Sequence, residues 1–368
     1  MMRPIMILAG GTGGHVFPAL AVAKQLRTLG VPVIWIGTTR GIEHKVVPEA
    51  GFELITIQIQ GLRGKGLKFY CQAPFIISKA LWQAVRIIRQ YKPSVLLGMG
   101  GFVTGPCGLI GACMGKPLIL HEQNAIMGLT NRILAPLAKK IFAGFQYSAK
   151  KIEFCGNPVR HELLTIDDPQ TRFAQRDSSI IRVLIIGGSQ GAKALNEIVP
   201  PALASLASKF DLQVRHQTGR NADDSVRQAY ADAAHCLQPS AVHVDAFIND
   251  MHAAYNWADL VICRSGAMTL AELASVGLGA VLVPYPYAVD DHQTINARQF
   301  VDQGAAYLIP ESQLNSATLV NALEEILDNK KYQTMAHSAH KLASADAALR
   351  VAKECMLLAG LNDPMRIG

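Results

Sequence analysis

Short apolar segments alternate with longer segments of helical periodicity along almost the whole chain. The apolar segments are rich in leucine and β-branched residues and lie at 5–9, 33–37, 95–97, 118–120, 183–186, 260–263 and 280–283. Parallel strands have this continuous apolar character because helices cover both faces of their sheet. The alternation therefore predicts an α/β protein built from doubly wound parallel sheets.

Two glycine-rich loops divide the chain into similar halves. Residues 10–15 (GGTGGH) follow the first apolar segment, and residues 187–191 (GGSQG) follow a later one. Each loop stands where a strand would pass into a helix, and 368 residues exceed the size of one hydrophobic core. We therefore expect two doubly wound domains, 1–160 and 161–344, separated within the polar, proline-containing stretch at 157–168.

Two further segments need placing. The last helical pattern, about residues 345–368, packs either back on the first domain or on the second, and periodicity does not decide between them. Residues 93–115 run for 23 positions without a charge, which is long enough to cross a bilayer. They contain seven glycines and two prolines, so we predict a buried strand, a glycine loop and a short helix instead.

Composition is that of a globular, intracellular protein. Half of the residues are hydrophobic and 17% are charged, which excludes a disordered chain. The seven cysteines are scattered and form no C-x-x-C pair, so we expect neither a disulfide framework nor a structural zinc site. The apolar run within residues 1–11 is too short for a signal peptide, and we expect the protein to remain in the reducing cytosol.

Positive charge is concentrated in one region of the first domain. Residues 54–121 contain no acidic residue and carry a charge of +8, whereas the whole chain has a formal charge of +7. A region of a single sign attracts phosphate groups, nucleic acid or an anionic membrane surface. We expect no nucleic-acid partner, because the sequence contains no recognisable nucleic-acid-binding module.

Residues 69–92 of this basic region have the periodicity of a helix with two distinct stripes. One stripe is predicted to be buried and comprises Ile77, Leu81, Ala84, Val85 and Ile88. The other combines aromatic and basic side chains: Phe75, Lys79, Trp82, Arg86 and Arg89. Rings and cations together suit the headgroup level of an anionic membrane, whereas a solvated face on which basic stems cover the rings is the alternative. The absence of acidic residues favours the membrane.

The glycine loops have the form of phosphate-binding turns. A glycine turn between a strand and a helix lets the backbone approach a phosphate, and the helix N-terminus adds unpaired N–H groups. A dinucleotide site is disfavoured, because the third glycine of its motif falls at Val16 and residues 36–39 lack the acidic residue that binds ribose. A tight turn without a ligand remains an alternative, but a third loop at 98–106 (GMGGFVTGP) in the same domain predicts a pyrophosphate between two loops.

Five motifs together resemble one family. They are 10–20 (GGTGGHVFPAL), 121–124 (HEQN), 156–160 (GNPVR), 187–192 (GGSQGA) and 263–269 (CRSGAMT). In this order and spacing they are similar to the MurG N-acetylglucosaminyltransferases, which convert undecaprenyl-pyrophosphoryl-MurNAc-pentapeptide (lipid I) into lipid II. The resemblance implies the GT-B fold, in which two Rossmann-like domains face each other across a cleft. It also implies that the first domain binds the acceptor and the second binds UDP-N-acetylglucosamine.

The resemblance also implies a set of site residues. Glu272 would accept hydrogen bonds from the ribose, Phe247 and the backbone of Ile248 would meet uracil, and Asn124 and Gln293 would contact the sugar. Ser189 and the helix N-terminus at 266–269 would lie near the donor pyrophosphate, with Arg160 and Arg264 as cationic partners. The full donor set is Thr12, Gly13, Gly14, Asn124, Arg160, Ser189, Phe247, Ile248, Arg264, Ala267, Met268, Thr269, Leu270, Ala271, Glu272 and Gln293. The acceptor pyrophosphate set is Gly13, Gly14, Gly100, Gly101 and Thr104.

One position departs from the family pattern. The family usually has two adjacent glutamines near the sugar, and this chain has His292 followed by Gln293. Either His292 acts as a hydrogen-bond donor in place of the first glutamine or it turns to solvent.

Inverting transfer requires a base for the acceptor hydroxyl. His15 is the first candidate and Glu122 the second. Both have a structural alternative: His15 as a capping or phosphate-binding residue, and Glu122 as a loop residue that satisfies backbone groups. The chain has no D-x-D motif, and the family works without a metal, so we expect neither metal nor cofactor.

The sequence therefore predicts a metal-independent N-acetylglucosaminyltransferase of peptidoglycan synthesis. We expect it at the cytoplasmic face of the bacterial inner membrane as a peripheral protein. Its partners would be UDP-N-acetylglucosamine, lipid I and the anionic membrane surface, and other cell-wall and division proteins remain open. The alternatives are a GT-B enzyme with another lipid acceptor and a non-catalytic UDP-sugar-binding membrane protein.

Overall fold

The chain folds into two compact units. The computed structural model describes residues 2–59, 67–188, 191–233 and 237–361, with no side-chain description for residues 67–72 and 239. The first unit comprises Met1–Arg160 together with Ser344–Gly368, and the second comprises His161–Ala343.

The first unit is a seven-stranded parallel sheet with helices on both faces. Its elements are β1 (Ile5–Leu8), α1 (Gly13–Thr28), β2 (Val33–Gly37), α2 (Glu43–Glu49), β3 (Glu53–Thr56), α3 (Leu67–Tyr91), β4 (Val95–Gly98), α4 (Thr104–Cys113), β5 (Leu118–Glu122), α5 (Leu129–Leu134), a 3-10 turn (Ala135–Leu137), β6 (Lys140–Ala143) and β7 (Ile152–Phe154). The strand order is β3-β2-β1-β4-β5-β6-β7. The chain therefore winds outward from β1 in one direction and then from β4 in the other.

Alternation along the central strand of this sheet builds two cores. Ile5 and Ile7 of β1 face one cluster, which includes residues of α1 and α2, and Met6 and Leu8 face the other, which includes residues of α3, α4 and α5. All four side chains are fully buried. Burial on both faces explains why the strand is a continuous apolar run in the sequence.

The second unit repeats this design with six parallel strands. Its elements are a 3-10 helix (His161–Thr165), α6 (Pro169–Ala174), β8 (Ile180–Ile186), α7 (Lys193–Leu206), β9 (Asp211–Gln217), α8 (Asp223–Asp232), β10 (Val242–Asp245), α9 (Met251–Trp257), β11 (Leu260–Cys263), α10 (Ala267–Val276), β12 (Gly279–Leu282), α11 (His292–Val301), β13 (Ala306–Leu308), α12 (Ser316–Asp328) and α13 (Lys331–His340). Further 3-10 turns lie at Pro239–Ala241, Val289–Asp291 and Glu311–Gln313. The strand order is β10-β9-β8-β11-β12-β13, so the winding reverses between β8 and β11.

The last helix belongs to the first unit. Helix α14 (Ala347–Leu358) packs on α1, and Val351, Ala352 and Cys355 are buried in the same cluster as the α1 side chains. Arg350 donates to the Glu153 carboxylate at 2.8 Å, which ties α14 to β7.

All seven strands predicted from the sequence are present in the sheets. Residues 93–115 form β4, a glycine loop and α4, as predicted. Within the described ranges, no helix has the length and apolar character needed to cross a membrane.

Helix α3 confirms one predicted stripe and corrects the other. Phe75, Lys79, Trp82, Arg86 and Arg89 are all exposed. Ala84 and Ile88 are buried as expected, but Ile77 is 38% exposed and Leu81 and Val85 are only partly buried. The buried stripe instead continues through Ala80 and Ala73.

Among the described residues, His121 in the first unit and His216 in the second are buried histidines within the sheets. The Nε2 atom of His121 in β5 lies 3.0 Å from the carbonyl oxygen of Gly156, and its Nδ1 atom lies 3.1 Å from the side-chain Nε2 of Gln123. His216 of β9 lies 3.1 Å through Nδ1 from the Tyr230 hydroxyl. Burial lowers the pKa of His121 from 6.5 to about 4 and that of His216 from 6.5 to about 3.

These two histidines predict that the protein loses stability in mild acid. Their pKa values in the folded state lie below the unfolded value of 6.5, so the unfolded chain binds both protons first as the pH falls. The stabilisation is complete above pH 6.5 and decreases by about 2 kcal/mol per histidine on reaching about pH 5. Calorimetric unfolding across this interval measures the change.

Replacing His121 by Gln should reduce this pH dependence by about half, because glutamine does not titrate and His216 remains. The exposed His44 provides the control, and His44→Gln should leave the dependence unchanged. A wild-type unfolding temperature that is constant across the interval would contradict the assignment of two buried neutral histidines.

Candidate active site

Two glycine loops meet where the winding of the first sheet reverses. Strands β1 and β4 are hydrogen-bonded neighbours, and the loops at residues 9–12 and 99–103 leave their carboxyl ends side by side. In open α/β sheets this reversal point is where ligands bind. Gly101 has φ of +81°, and a Cβ atom there would lie 2.3 Å from the carbonyl oxygen of Gly10. The two loops are therefore in backbone-to-backbone contact.

His15 lies at this contact. It is in the first turn of α1, is half-buried, and has its Nδ1 3.4 Å from the Thr12 hydroxyl. Its ring packs on the third loop, since a Cβ atom on Gly100 would lie 2.5 Å from the His15 Cδ2 atom. Glycine at position 100 thus makes room for the imidazole. Gly13 and Gly14 precede His15 in the first turn of α1, and their amides have no carbonyl one turn earlier in the helix.

Thr104 contributes to the loop from inside. Its side chain is fully buried, and its hydroxyl lies 2.9 Å from the carbonyl oxygen of Leu8 and 2.8 Å from that of Gly100. The hydroxyl therefore links β1 to the third loop, and its hydrogen bonds indicate a structural role.

Glu122 is engaged by neutral donors. It is buried at the end of β5, and its Oε1 accepts from the Asn124 backbone N–H at 3.1 Å and the Asn124 amide at 3.3 Å. Its Oε2 accepts from the Gly128 N–H at 3.0 Å and the Asn131 amide at 2.9 Å. These four bonds fix the turn between β5 and α5, which matches the structural alternative for Glu122.

Arg160 lies beside the first glycine loop. Its guanidinium carbon is 6.0 Å from the centre of the Phe17 ring. The same ring borders Gly13, where an added Cβ would lie 2.8 Å from Phe17 Cε2. The sequence resemblance implied that Arg160 binds the donor pyrophosphate. Within the first unit, however, Arg160 lies next to the first glycine loop, which is expected to bind the acceptor.

Sequence reasoning missed Glu43, which is the acidic residue closest to this loop. It is fully buried in the first turn of α2 and accepts from the Gly11 N–H at 2.9 Å and the Thr38 N–H at 2.8 Å. Glu43 lies four positions beyond residues 36–39, where a dinucleotide site would have its ribose-binding acid. Its signal in the sequence is weak, because a glutamate that opens a short helix is usually exposed.

The second unit has a comparable reversal point between β8 and β11. The loop after β8 contains Ser189, which lies outside the described residues, as does Gln190. The loop after β11 leads into α10, whose N-cap is Gly266 and whose first residue is Ala267. Met268, Thr269 and Ala271 are partly exposed along this helix, whereas the Leu270 side chain is fully buried. A helix N-terminus thus opens at the point where a ligand is expected.

Phe247 and Ile248 follow β10 with opposite exposures. Phe247 is 52% exposed, as an aromatic platform requires, and Ile248 is buried. The Ile248 N–H donates to Gln217 Oε1 at 3.0 Å, and Gln217 Nε2 donates to the Gly188 carbonyl at 2.9 Å. Gln217, which the sequence did not single out, therefore bridges the two loops.

Glu272 stands in the second turn of α10 and is partly exposed. Tyr255 of α9 donates its hydroxyl to Glu272 Oε2 at 2.9 Å. This bond orients the carboxylate, and Tyr255 is a further residue that the sequence did not indicate.

Arg264 connects three loops at the carboxyl edge of the second sheet. Its Nη1 donates to the carbonyl oxygens of Val283 at 3.1 Å and Pro284 at 3.2 Å. Its Nη2 forms an ion pair with Glu311, and its guanidinium carbon lies 5.6 Å from the centre of the Tyr285 ring. Arg264 is thus anchored beside the N-terminus of α10.

His292 and Gln293 both form hydrogen bonds with the backbone at the carboxyl edge of the second sheet. His292 Nδ1 lies 2.6 Å from the carbonyl oxygen of Val289, so this ring nitrogen donates inside its own turn. Gln293 Oε1 accepts from the Tyr285 N–H at 3.0 Å. Both side chains therefore shape the loop between β12 and α11.

Two doubly wound units, each with loops and a helix N-terminus at its reversal point, have the architecture of the GT-B class of glycosyltransferases. The N-terminal domain of glycosyltransferase family 28 matches residues 5–143, and the C-terminal domain of that family matches residues 182–351. These matches cover most of the chain, and they confirm the predicted fold class.

Individual relatives agree along almost the full length. The chain is 48% identical to the UDP-N-acetylglucosamine--N-acetylmuramyl-(pentapeptide) pyrophosphoryl-undecaprenol N-acetylglucosamine transferase of Alkalilimnicola ehrlichii, over 97% of this chain and 99% of that protein. It is 46% identical to the protein of the same name from Shewanella frigidimarina, over 95% of each chain. The crystal structure of Acinetobacter baumannii MurG superposes with a TM-score of 0.82 at 38% identity, over 96% of this chain and 99% of that one. The chain belongs to glycosyltransferase family 28, in its MurG branch of N-acetylglucosaminyltransferases.

The contact between the two glycine loops predicts a strict requirement at position 101. Gly101→Ala should lower the free energy of unfolding by about 1–3 kcal/mol, because alanine is strained at positive φ and its Cβ would meet a backbone oxygen that cannot rotate away. Urea unfolding measures this change. Gly105→Ala is the matched control, since a Cβ there would meet only Thr130 at an ordinary 3.7 Å. Equal losses in the two variants would contradict the proposed contact.

Proposed function

We propose that the chain transfers N-acetylglucosamine from UDP-N-acetylglucosamine to the 4-hydroxyl of MurNAc in lipid I, with inversion, and so produces lipid II. The observation that carries the proposal is the reversal point in each sheet, where loops and helix N-termini of the anion-binding type come together. The names of the near-full-length relatives support the same donor and acceptor. The first unit would bind the acceptor and the second would bind the donor.

The donor proposal assigns the nucleotide to the loops around α10. Glu272, oriented by Tyr255, would accept two hydrogen bonds from the ribose, because a carboxylate has lone pairs for both hydroxyls. The exposed Phe247 ring would stack on uracil. The amides at the start of α10 and the Arg264 guanidinium would stabilise the pyrophosphate, and with it the leaving UDP, without a metal.

The acceptor proposal assigns the lipid pyrophosphate to the two contacting loops of the first unit. Gly13 and Gly14 would present first-turn amides, and Gly100 and Gly101 would allow close approach of the backbone. Arg160, beside Gly13, would add a cation on the same side. Thr104 would not contact the pyrophosphate but would hold the third loop in position through its hydroxyl.

The chemical step is a single displacement in which His15 acts as the base. The acceptor oxygen forms a bond to the anomeric carbon, the bond from that carbon to the UDP oxygen breaks, and a ring nitrogen of His15 takes the hydroxyl proton. His15 suits this role because it lies at the contact of the two loops and is only half-buried. Glu122 is less suited, because four amide donors occupy its carboxylate.

Transfer of labelled N-acetylglucosamine from the UDP-sugar to a lipid I analogue, with EDTA present, tests the reaction. We expect the disaccharide lipid as product, and His15→Ala should lower turnover by about 100-fold or more while UDP-sugar binding persists. His44→Ala, which removes an exposed histidine of the same unit, should retain full activity. Near-normal turnover of His15→Ala would exclude it as the base.

The same assay separates the alternatives. A product formed only with a different lipid acceptor would replace lipid I but keep the fold and the donor site. Binding of the UDP-sugar without transfer to any lipid would favour a non-catalytic binding protein.

We further propose that one face of the first unit lies on the cytoplasmic surface of the inner membrane. On α3, Phe75 is 74% and Trp82 is 62% exposed, and Arg86 lies over the Trp82 ring at 6.0 Å. Leu129 and Ile133, four residues apart on α5, are 68% and 62% exposed. Helices α3, α4 and α5 pack on the same face of the sheet, so aromatic, apolar and basic groups share one surface.

The membrane proposal predicts salt-sensitive binding to vesicles that contain phosphatidylglycerol. The double variant Lys79→Glu, Arg86→Glu should bind at least about tenfold more weakly, because each cation near an anionic surface contributes ~1 kcal/mol. Co-sedimentation measures the binding. Lys24→Glu, Lys45→Glu is the matched control, since both lysines are exposed on helices of the opposite face. Equal binding by the two double variants would exclude this face as the membrane contact.

A protein at this position would also be accessible to other cell-wall and division proteins. The described surface carries no feature that selects one of them, so these partners stay a prediction of the sequence resemblance.

A further inference from the structure

A buried carboxylate lies directly beneath the first glycine loop. Glu43 has no solvent exposure, although a glutamate at the start of a surface helix is normally in water. Its Oε2 accepts from the Gly11 N–H at 2.9 Å. Its Oε1 accepts from the N–H of Thr38 at 2.8 Å and from the hydroxyl of the same residue at 2.7 Å. All three donors are neutral, so hydrogen bonds hold this carboxyl group in place.

The surrounding backbone is shaped to contain this side chain. A Cβ atom on Gly10 would lie 2.6 Å from Glu43 Oε1, and one on Gly41 would lie 1.9 Å from Oε2. The Thr38 hydroxyl also accepts from the Gly41 N–H at 3.1 Å, which closes a turn around the carboxylate. The loop after β1, the loop after β2 and the start of α2 therefore form one enclosure for a single carboxyl group.

The enclosure determines which amides of the first loop face a ligand. Because the Gly11 N–H points to Glu43, that group is not available to an anion above the loop. The amides that remain at the start of α1 belong to Gly13 and Gly14, next to His15. The Gly10 carbonyl, which precedes Gly11, is the group that the third loop contacts at Gly101.

We propose that Glu43 is a positioning residue for the acceptor: by binding Gly11 and Thr38, it fixes the first loop so that His15 and the first-turn amides of α1 meet the acceptor pyrophosphate. The inference rests on the proposed function, since it assigns a role within the same acceptor site. Glu43 itself does not contact the substrate. It acts through the loop above it.

Substitution by glutamine provides a sharp test, because the three donors are divided between two oxygens. An amide has one oxygen and one NH2 group, so it can accept from Gly11 or from Thr38, but not from both. Glu43→Gln therefore breaks one side of the link with almost no change in shape. Glu49→Gln is the matched control, because Glu49 lies at the other end of α2 with an exposed side chain.

The kinetic arm of the experiment compares acceptor and donor in the transfer assay. Glu43→Gln should lower kcat/KM for the acceptor by about 10- to 100-fold, since a small misplacement of reacting groups has effects of that size. The KM for UDP-N-acetylglucosamine should stay within about twofold of the wild-type value, because the donor residues of α10 belong to the other unit. Glu49→Gln should match the wild type in both parameters. Normal acceptor kinetics in folded Glu43→Gln, or equal losses for donor and acceptor, would overturn the proposal.

A second arm does not depend on the transfer reaction. Hydrogen exchange of a peptide covering residues 10–16 should be at least about tenfold faster in Glu43→Gln than in Glu49→Gln, because the loop has lost one of its links. If the wild-type protein transfers nothing, the proposed function fails, and this arm still decides whether Glu43 fixes the loop. Equal exchange in the two variants would overturn the proposal by itself.

Thr38→Val provides the variant for the case in which Glu43→Gln does not fold. Valine keeps the branched shape and removes only the hydroxyl, which bonds to Glu43 and Gly41. It should change acceptor kinetics and loop exchange in the same direction but to a smaller degree. A Thr38→Val protein with wild-type values in both measurements would overturn the proposal.

Discussion

The parallel pairing of β1 with β4 is the constraint on which the first unit depends. Because these neighbours run in the same direction, the loops that leave them emerge at one edge of the sheet, and Gly10 and Gly101 come into backbone contact. Neither loop could reach this position with a larger residue at 101. The position of His15 follows from the contact, since its ring packs on Gly100 of the third loop. The proposed acceptor site is therefore a consequence of strand order combined with the absence of two side chains.

The polar groups behind the site are fixed by neutral hydrogen bonds in both units. Glu43 and Glu122 each accept several amide or hydroxyl donors, and His121 and His216 are buried without charge. Each of these hydrogen bonds restricts the loop that carries it. The second unit uses Gln217 and Tyr255 in the same way, beside the loops expected to bind the nucleotide. Preorganised loops of this kind suit a reaction in which charge develops on the leaving UDP.

Much of the fold could be predicted from the sequence because buried parallel strands are continuous apolar runs. Among the strands that were not predicted, three lack that signal: β9 alternates polar and apolar residues, and β7 and β13 have three residues each. The glycine loops could also be predicted, because several glycines directly after an apolar segment form a distinctive sequence pattern. The residues that support the loops could not be predicted. A buried glutamate and an exposed one have the same residue type, and only the fold shows which of them is surrounded by hydrogen-bond donors. Ile77 illustrates the same limit, since helical spacing identified a stripe on α3 but not which of its side chains the fold buries.

Acceptor and donor are proposed to bind at separate reversal points, one in each unit. Hydrogen exchange measured with either substrate alone tests it most directly, because amides that bind phosphate exchange more slowly. We expect a lipid pyrophosphate acceptor to slow exchange at residues 10–16 and 98–106, and UDP to slow exchange at 264–272. Slower exchange at 264–272 with the acceptor alone, and none at the two glycine loops, would contradict it.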